Sequence, residues 1–427
     1  MRGFLSVIML HCVQTLESRY PMKYSREEVL QYVQEDDVKF IRLAFCDVFG
    51  HQKNISINPT ELPRAFEKGI VIDGSAIKGF GSDTHSDLLL HPEAETLHQL
   101  PWRPEHGKVV RLYTDITYPD GTPFPCDTRR LLKQAVADAK KAGFRFFFGA
   151  KQEFYLFLLD DNGYPTTIPY DHAGYMDLAP EDRGENIRRE ICLTLEQMGI
   201  QPESSHHEEG PGQNRINFRY SEALSAADNV MTFRNVVKTI AHRNGLCADF
   251  HAKPLADQPG NGFHIIISAE SDDGSGSLPC IISGILEKAY EMTAFLNPTS
   301  NSYTRFGRQK APGYISWSDE NRSQFIRIPA SDGDNPRADL RSPDPTANPY
   351  LVYALLIYAG LYGIKNKLIL PSAAEINLNT ADPDLLKNYQ KLPEDLISAC
   401  KAASASSFIQ TYIPQEIISI YCSERSN

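Results

Sequence analysis

The chain has 427 residues, of which 41% are hydrophobic and 23% charged, and its formal charge is −11. That length is enough for two or three domains with a substantial core, and the composition is that of an ordinary globular protein. The acidic balance argues against general binding to nucleic acid or an anionic membrane, since both need clustered Lys and Arg. No run approaches the roughly 20 apolar residues of a membrane span. The 8 cysteines include no Cys-x-x-Cys pair. They give neither a zinc pattern nor a disulfide framework, and predict reduced thiols in a cytoplasmic protein.

Arg2 to Leu16 is apolar enough to imitate a signal peptide, but His11 interrupts it and no small-residue cleavage site follows. Residues 1–21 are therefore expected to be a poorly constrained extension, with Met1 and Met22 both open as the natural start. Ser25-Arg-Glu-Glu resembles a capping box and predicts a helix to about Gln34. Val38 to Phe45 alternates as a strand, and Asp47 to Gly50 reads as a turn. Tyr118 to Pro125 is dense in turn residues, which places a domain boundary there and divides the chain into residues 22–120 and 121–427.

Asp127 predicts a capped helix carrying Leu131, Leu132, Ala135, Val136 and Ala139, stopped by Gly143. Phe144–Phe148 and Glu153–Leu159 read as two strands. A helix is expected from about Glu185 to Met198, with Ile187, Ile191, Leu195 and Met198 on one face. Further strands are expected at Gln213–Tyr220, Ala248–Lys253, Gly262–Ser268, Tyr314–Trp317 and Phe325–Ile328. Helices are expected at Tyr350–Leu361 and Leu392–Ser404. Helices and strands without a regular βαβ rhythm predict an α+β fold.

Three segments concentrate charge at strand spacing. Lys151 and Glu153 share a strand face, as do Arg337, Asp339 and Arg341. His206, His207 and Glu208 stand near a Gly-Pro-Gly bend, and His264 follows a flexible Gly-Asn-Gly turn. Each alone reads as readily as a solvated face or a core histidine.

Their order along the chain is more specific. Val71-Ile-Asp-Gly-Ser, Ser86-Asp-Leu-Leu-Leu, Ser205-His-His-Glu, Pro211-Gly-Gln, Lys253-Pro-Leu, Gly260-Asn-Gly-Phe-His, Asn297-Pro-Thr, Asn301-Ser-Tyr, Asn321-Arg-Ser, Ile326-Arg-Ile-Pro and Ala347-Asn-Pro-Tyr follow one another. Together they resemble glutamine synthetase of the bacterial type, from about Met22 to Leu370. The resemblance implies an N-terminal β-grasp domain and a larger catalytic domain on an antiparallel sheet. It also implies a homo-oligomer, a hexameric ring or double-ring dodecamer, in which a neighbour's N-terminal domain completes each site. The tail from Phe408 to Asn427 is shorter than the family's, which makes the ring more secure than the double ring. In such enzymes ATP phosphorylates the glutamate γ-carboxylate, ammonia displaces phosphate, and divalent metals neutralise phosphate charge.

Matched one at a time, Asp73 and Asp87 correspond to the family's acidic residues at the ammonium site. Arg305 and Arg341 correspond to arginines contacting substrate carboxylate and phosphoryl oxygen, and Arg322, Arg327 and Arg337 to those around the phosphates. Tyr220 and Ser268 belong with the nucleotide site. Glu153, Glu208 and His264 match metal ligands, and Asp339 stands for a metal-binding glutamate. Three departures from the pattern reverse charge: Lys151 and Arg215 stand where the resemblance expects ligand glutamates, and Lys310 where it expects the flap glutamate; Pro259-Gly260 also replaces an Asn-Gly pair, and Ile266 a histidine near the nucleotide. Each exchange of carboxylate for cation reverses the local charge. These substitutions lead to the expectation of a catalytically impaired, regulatory pseudoenzyme in which Lys151, Arg215 and Lys310 replace metal charge. On that expectation ATP still binds, and Mg²⁺ or Mn²⁺ is disfavoured. Two alternatives stay open: an active ATP-dependent glutamate–ammonia or γ-glutamyl–amine ligase, and an accessory subunit of an active glutamine synthetase paralogue.

Overall fold

The computed structural model describes residues 24–81, 86–103, 106–274, 276–329 and 337–423. The expected extension over residues 1–21 lies outside them. The first helix, α1 (Arg26–Glu35), opens on the reciprocal cap that its sequence encodes. Ser25 Oγ accepts from the Glu28 amide at 3.2 Å, and Glu28 Oε2 accepts from the Ser25 amide at 2.7 Å. Strands β1 (Val38–Cys46) and β2 (Gln52–Ile57), helix α2 (Leu62–Lys68), and strands β3 (Ile70–Asp73), β4 (Asp87–Pro92), β5 (His98–Gln99) and β6 (Lys108–Thr117) follow. The sheet runs β2-β1-β6-β4-β3, with β5 beside β6. Its central pair, β1 and β6, is parallel and the rest antiparallel. Ile41 and Leu43 of β1 and Val110 and Leu112 of β6 are fully buried, whereas Phe40 of β1 is half-exposed.

His98 sits at the foot of this sheet beside the Arg111 guanidinium, 3.3 Å away. Burial first, and then Arg111, push its imidazole down to about 4. The folded state therefore resists a proton that the unfolded chain accepts. The contribution is complete above about pH 6.5 and is lost as pH falls from there toward about 4, at no more than about 1.4 kcal/mol per pH unit. Denaturant midpoints across that window are expected to fall for the native protein and to flatten for His98→Gln.

Asp127 caps α3 (Thr128–Lys141), accepting from the Arg130 amide at 3.1 Å. Its second oxygen accepts from the Ile116 amide at 2.9 Å, so one carboxylate ties this helix to β6. The second sheet uses β7 (Phe144–Leu159), β8 (Pro165–Pro169), β9 (Pro202–His207), β10 (Gln213–Glu222), β11 (Leu246–Asp249), β12 (Phe263–Ser271), β13 (Trp317–Ser318), β14 (Ile326–Arg327) and β15 (Ala338–Leu340). Its order is β13-β14-β15-β12-β7-β10-β9, with β8 and β11 also on β7.

Helices α4 (Glu185–Gln197), α5 (Ala223–Arg243), α6 (Leu278–Leu296), α7 (Pro349–Lys365), α8 (Leu396–Ala405), α9 (Ser407–Tyr412) and α10 (Gln415–Ser423) complete the described elements of eight residues or more, together with the shorter α9. The helices α6 and α7 meet backbone to backbone. A Cβ on Gly284 would lie 2.1 Å from the Ala359 carbonyl oxygen, and one on Gly363 2.0 Å from that of Cys280. The tail folds back on the chain, with Tyr421 stacked on Phe295 and Phe49 at 4.9 and 5.9 Å. Among the described residues no helix is long and apolar enough to cross a membrane.

The α+β class stands as expected, but several elements differ. The two strands expected around Gly149 are one 16-residue strand, because β12 and β10 pair with it through the intervening residues: Ile266 with Gly149 and Asn217 with Lys151. The strand expected over Ala248–Lys253 ends at Asp249, where the Asp249 carboxylate turns back onto the His251 amide at 2.7 Å. Tyr314–Trp317 forms only an isolated bridge from Tyr314 to Lys391 and the two-residue β13. The long helices α5 and α6 were not among the expected elements.

Candidate active site

Side chains on alternate residues of a strand share a face, and five strands of the large sheet direct charged groups to one place. Strand β7 supplies Lys151 and Glu153. Strand β10 sets Arg215 directly opposite Glu153 on one side and His206 of β9 on the other. Strand β12 sets His264 opposite Lys151, and β15 brings Asp339 opposite Ile266. Glu208 follows β9, its amide bonded to the Gln213 carbonyl at 2.8 Å.

The turn carrying Glu208 is braced from behind. His207 is buried with both ring nitrogens facing acceptors: Asp171 Oδ1 at 2.8 Å and the Glu208 carbonyl at 2.7 Å. Burial opposes charge on this ring, but the Asp171 carboxylate outweighs it and raises the imidazole above its ordinary value. Asp171, Asp182 and His207 bring ligand-type atoms together. Asp182, however, is bonded by Arg188, whose Nη1 also donates to Asn214 at 2.6 Å. This cluster is a closed ion-pair network.

In front of it, Arg215 Nη1 stands 3.2 Å from Glu208 Oε1 and 3.7 Å from Glu153 Oε1, and Nε donates to Asn217 at 3.0 Å. Glu153 Oε2 accepts from the Gly262 amide at 2.6 Å. Burial, and then the Glu208 carboxylate, raise the Glu153 carboxyl. Burial acts the same way on Glu208, but His206 and Arg215 overcome it and hold that carboxyl down. The pair thus shares one guanidinium, and Glu208 has the larger share.

Beside this, Lys151 Nζ lies 3.3 Å and Arg341 Nη1 3.5 Å from Asp339 Oδ2. Asp339 Oδ1 is buried without a partner. His264 is buried, with its Nδ1 3.5 Å from Arg341 Nη1, and burial followed by the Arg341 charge keeps the ring neutral. Gly262 makes the approach of these groups possible: a Cβ there would lie 2.6 Å from His264 Nε2 and 3.2 Å from Glu153 Oε2.

A cleft of about 700 Å³, counting its open mouth, is lined by Glu153, Glu208, Arg215, His264, Arg305, Lys310, Arg322 and Arg341 among others. Lys253, Arg308 and Glu209 line it too, so seven basic residues face three acidic ones in a chain of net charge −11. Such a cleft concentrates anions. Lys253 and Arg308 were not picked out as site residues. Lys253 opens the Lys253-Pro-Leu motif, which gives it no role, and Arg308 carries no signal beyond the charge of its segment.

The expected site residues separate into groups. Glu153, Glu208, His264, Arg215, Arg305, Arg322 and Arg341 come together, with Lys151 and Asp339 joined to them through Arg341. Lys310 lines the cleft but is half-exposed; it pairs with Glu209 and lies 5.6 Å from the Tyr175 ring, away from the carboxylates of β7 and β15. Tyr220 and Ser268 lie further along the sheet, both beside Phe147, which is about 20 Å along β7 from Glu153 at the usual rise per residue. Arg327 pairs with Asp339 across β14 and β15, and Arg337 precedes β15; neither lines the cleft.

Asp73 and Asp87 face each other across β3 and β4 and are likewise absent from the cleft lining. The Ser75 hydroxyl and amide, 2.7 and 2.9 Å from Asp73 Oδ1, hold the Asp73 carboxyl below the usual range.

The donor set does not fit divalent ions held by the protein alone. Glu153 and Glu208 already have Arg215 as counter-ion, and arginine does not deprotonate in proteins. A divalent ion 4 Å from that guanidinium is opposed by about 8 kcal/mol at an effective dielectric of 20, twice the unit-charge figure. At Asp339 two cations already share one oxygen.

Comparison with known proteins settles the family. Residues 37–119 match the model "Glutamine synthetase, beta-Grasp domain", and residues 125–427 match "Glutamine synthetase, catalytic domain". A glutamine synthetase of Clostridium saccharobutylicum is 46% identical over 369 residues, 83% of each chain. One of Methanosarcina mazei is 42% identical over 412 residues, covering 93% of this chain and 92% of its own. A solved structure titled "GmaS/ADP complex" superposes with a TM-score of 0.84 at 28% identity, over 93% of this chain and 94% of that one. These relatives overturn the expectation of an impaired pseudoenzyme: identity of this extent with proteins named glutamine synthetase supports an active enzyme. They give no support, either, to excluding Mg²⁺ or Mn²⁺ from the reaction. With two family models spanning both sheets and the charged cleft at the carboxylate-bearing strands, the chain belongs to the glutamine synthetase family.

Proposed function

We propose that the chain is an ATP-dependent ligase that joins the γ-carboxylate of glutamate to ammonia or a small amine. The observation that carries this reading is the cationic cleft, set at the carboxylates of the sheet in a chain of this family. Arg305 and Arg341 are buried guanidinium groups at that cleft, Arg305 anchored on the Ser342 carbonyl at 3.2 Å and Arg341 on the Arg322 carbonyl at 2.7 Å. Both are pre-oriented for oxyanions. In the reaction a γ-carboxylate oxygen attacks the terminal phosphorus of ATP and the bond to ADP breaks. The amine nitrogen then attacks the acyl carbon, and phosphate leaves. The guanidinium groups stabilise charge on the transferred phosphoryl group. ATP is expected along β7, with its base toward Tyr220 and Ser268 and its phosphates toward Glu153. A divalent ion bound to the nucleotide would neutralise phosphate charge.

Asp73 and Asp87 stand outside this chain's own cleft, which supports a homo-oligomeric ring in which the partner subunit brings them to the site. There Asp73, already held as a carboxylate by Ser75, is placed to take the ammonium proton. The backfolded C-terminal helices favour a single ring. Purified protein given ATP, glutamate, Mg²⁺ and hydroxylamine is expected to form γ-glutamyl hydroxamate with glutamate-dependent turnover. A trace no greater than that of a glutamate-free control contradicts the reading.

A further inference from the structure

We propose that Arg215 is a catalytic residue of this ligase, a permanent counter-charge on the transferred phosphoryl group. We further infer that the required divalent ion arrives on the nucleotide and is not held by the protein in advance. The inference rests on the ligase reading and concerns how that site handles charge.

Its basis is the geometry of Arg215. The side chain donates from Nε to Asn217 on β10 and from Nη1 to Glu208 in its turn, and Nη1 also forms an ion pair with Glu153 on β7 at 3.7 Å. Its second terminal amino group, Nη2, has no protein partner among the described residues, although the residue lines the cleft. A guanidinium fixed at two nitrogens and open at the third is pre-oriented for an anion, at no cost in reorganisation. The same contacts take up the two carboxylates that a cation would need. Lys151 acts alike at Asp339, where Arg341 joins it. A magnesium ion carried by the nucleotide needs few protein ligands, since phosphate oxygens and water supply most of its octahedron.

Two measurements on the full chain test this. Mn²⁺ is titrated by electron paramagnetic resonance without nucleotide. The free-ion signal is expected to be undiminished by the native protein. Arg215→Glu, which sets a third carboxylate beside Glu153 and Glu208, is expected to bind Mn²⁺ at least about tenfold more tightly. Native protein that removes the free-ion signal, with Glu208→Gln restoring it, overturns the inference. So does an Arg215→Glu titration that matches the native one while the variant retains the native oligomer and circular dichroism.

The second measurement is kinetic. Arg215→Gln is expected to lose about a hundredfold in kcat with little change in KM for ATP. Retained kcat, or a loss confined to KM, overturns the catalytic role. Failure of the ligase reading is seen separately, as absence of native turnover, and leaves the Mn²⁺ titration decisive for metal exclusion.

Discussion

Arg341→Ala is expected to lower turnover by about a hundredfold to a thousandfold, the loss typical of removing one pre-oriented charge from a reacting oxyanion. Three contacts make this guanidinium hard to replace. It is 5% exposed, it donates to the Arg322 carbonyl at 2.7 Å, and it stands 3.5 Å from both Asp339 and His264. Burial costs such a group its hydration, and the Asp339 charge offsets only part of that cost. Removing it leaves Asp339 with Lys151 as its one cationic partner within bonding reach among the described residues, and with one oxygen already unpartnered among them. Arg341→Lys is expected to recover little, because an ammonium cannot span a carbonyl and a carboxylate with the planar fork of arginine. Steady-state kinetics with thermal unfolding separates the two effects: a variant as stable as the native protein that keeps its kcat contradicts the assigned role.

Arg129→Ala is expected to be strongly destabilising, costing about 3 kcal/mol, because it removes the buried guanidinium that pairs with two part-buried carboxylates. Arg129 is 2% exposed. Its Nε and Nη2 grip Asp228 of α5 at 2.9 and 2.8 Å, and Nη1 reaches Glu93, just past β4, at 2.5 Å. Tyr350 of α7 donates to the same Asp228 at 2.7 Å. One side chain of α3 therefore ties the smaller sheet to two helices of the larger unit. Arg129→Lys keeps the charge but loses the bidentate grip, and an intermediate loss is expected. Urea unfolding with an unchanged m-value and a lower midpoint is the predicted record; a stability loss below about 1 kcal/mol, taken as the midpoint shift times m, contradicts the network's importance.

Local rules carried much of the fold into the sequence. The Ser25 box and the Asp127 cap were legible because capping depends on residues three positions apart. The continuity of β7 was not legible, because Gly149 and Ala150 look like an interruption until β10 and β12 supply partners on both sides. Helix α6 is buried at 13 named positions, so its apolar face has no polar counterpart strong enough to show a period. In the site, period-two spacing put Lys151 with Glu153 and Asp339 with Arg341 correctly on shared faces. Which cation meets which carboxylate depends on register between strands distant in sequence. The inward pairing of Arg215 with Glu208 and Glu153, and the outward turn of Lys310 to Glu209, could not be read locally. Similar charge changes at Arg215 and Lys310 thus have different structural meanings. The step from altered ligands to lost activity failed for a related reason: a cation anchored beside an anion-binding cleft is itself a means of stabilising phosphoryl transfer.

The most direct measurement follows an oxygen atom. Glutamate labelled with ¹⁸O in its γ-carboxylate is incubated with the protein, ATP, Mg²⁺ and ammonium, and the released phosphate is examined by mass spectrometry. If the carboxylate attacks phosphorus and phosphate then leaves the acyl carbon, one labelled oxygen enters phosphate for each amide formed. Phosphate without label, or no glutamate-dependent phosphate at all, contradicts the account.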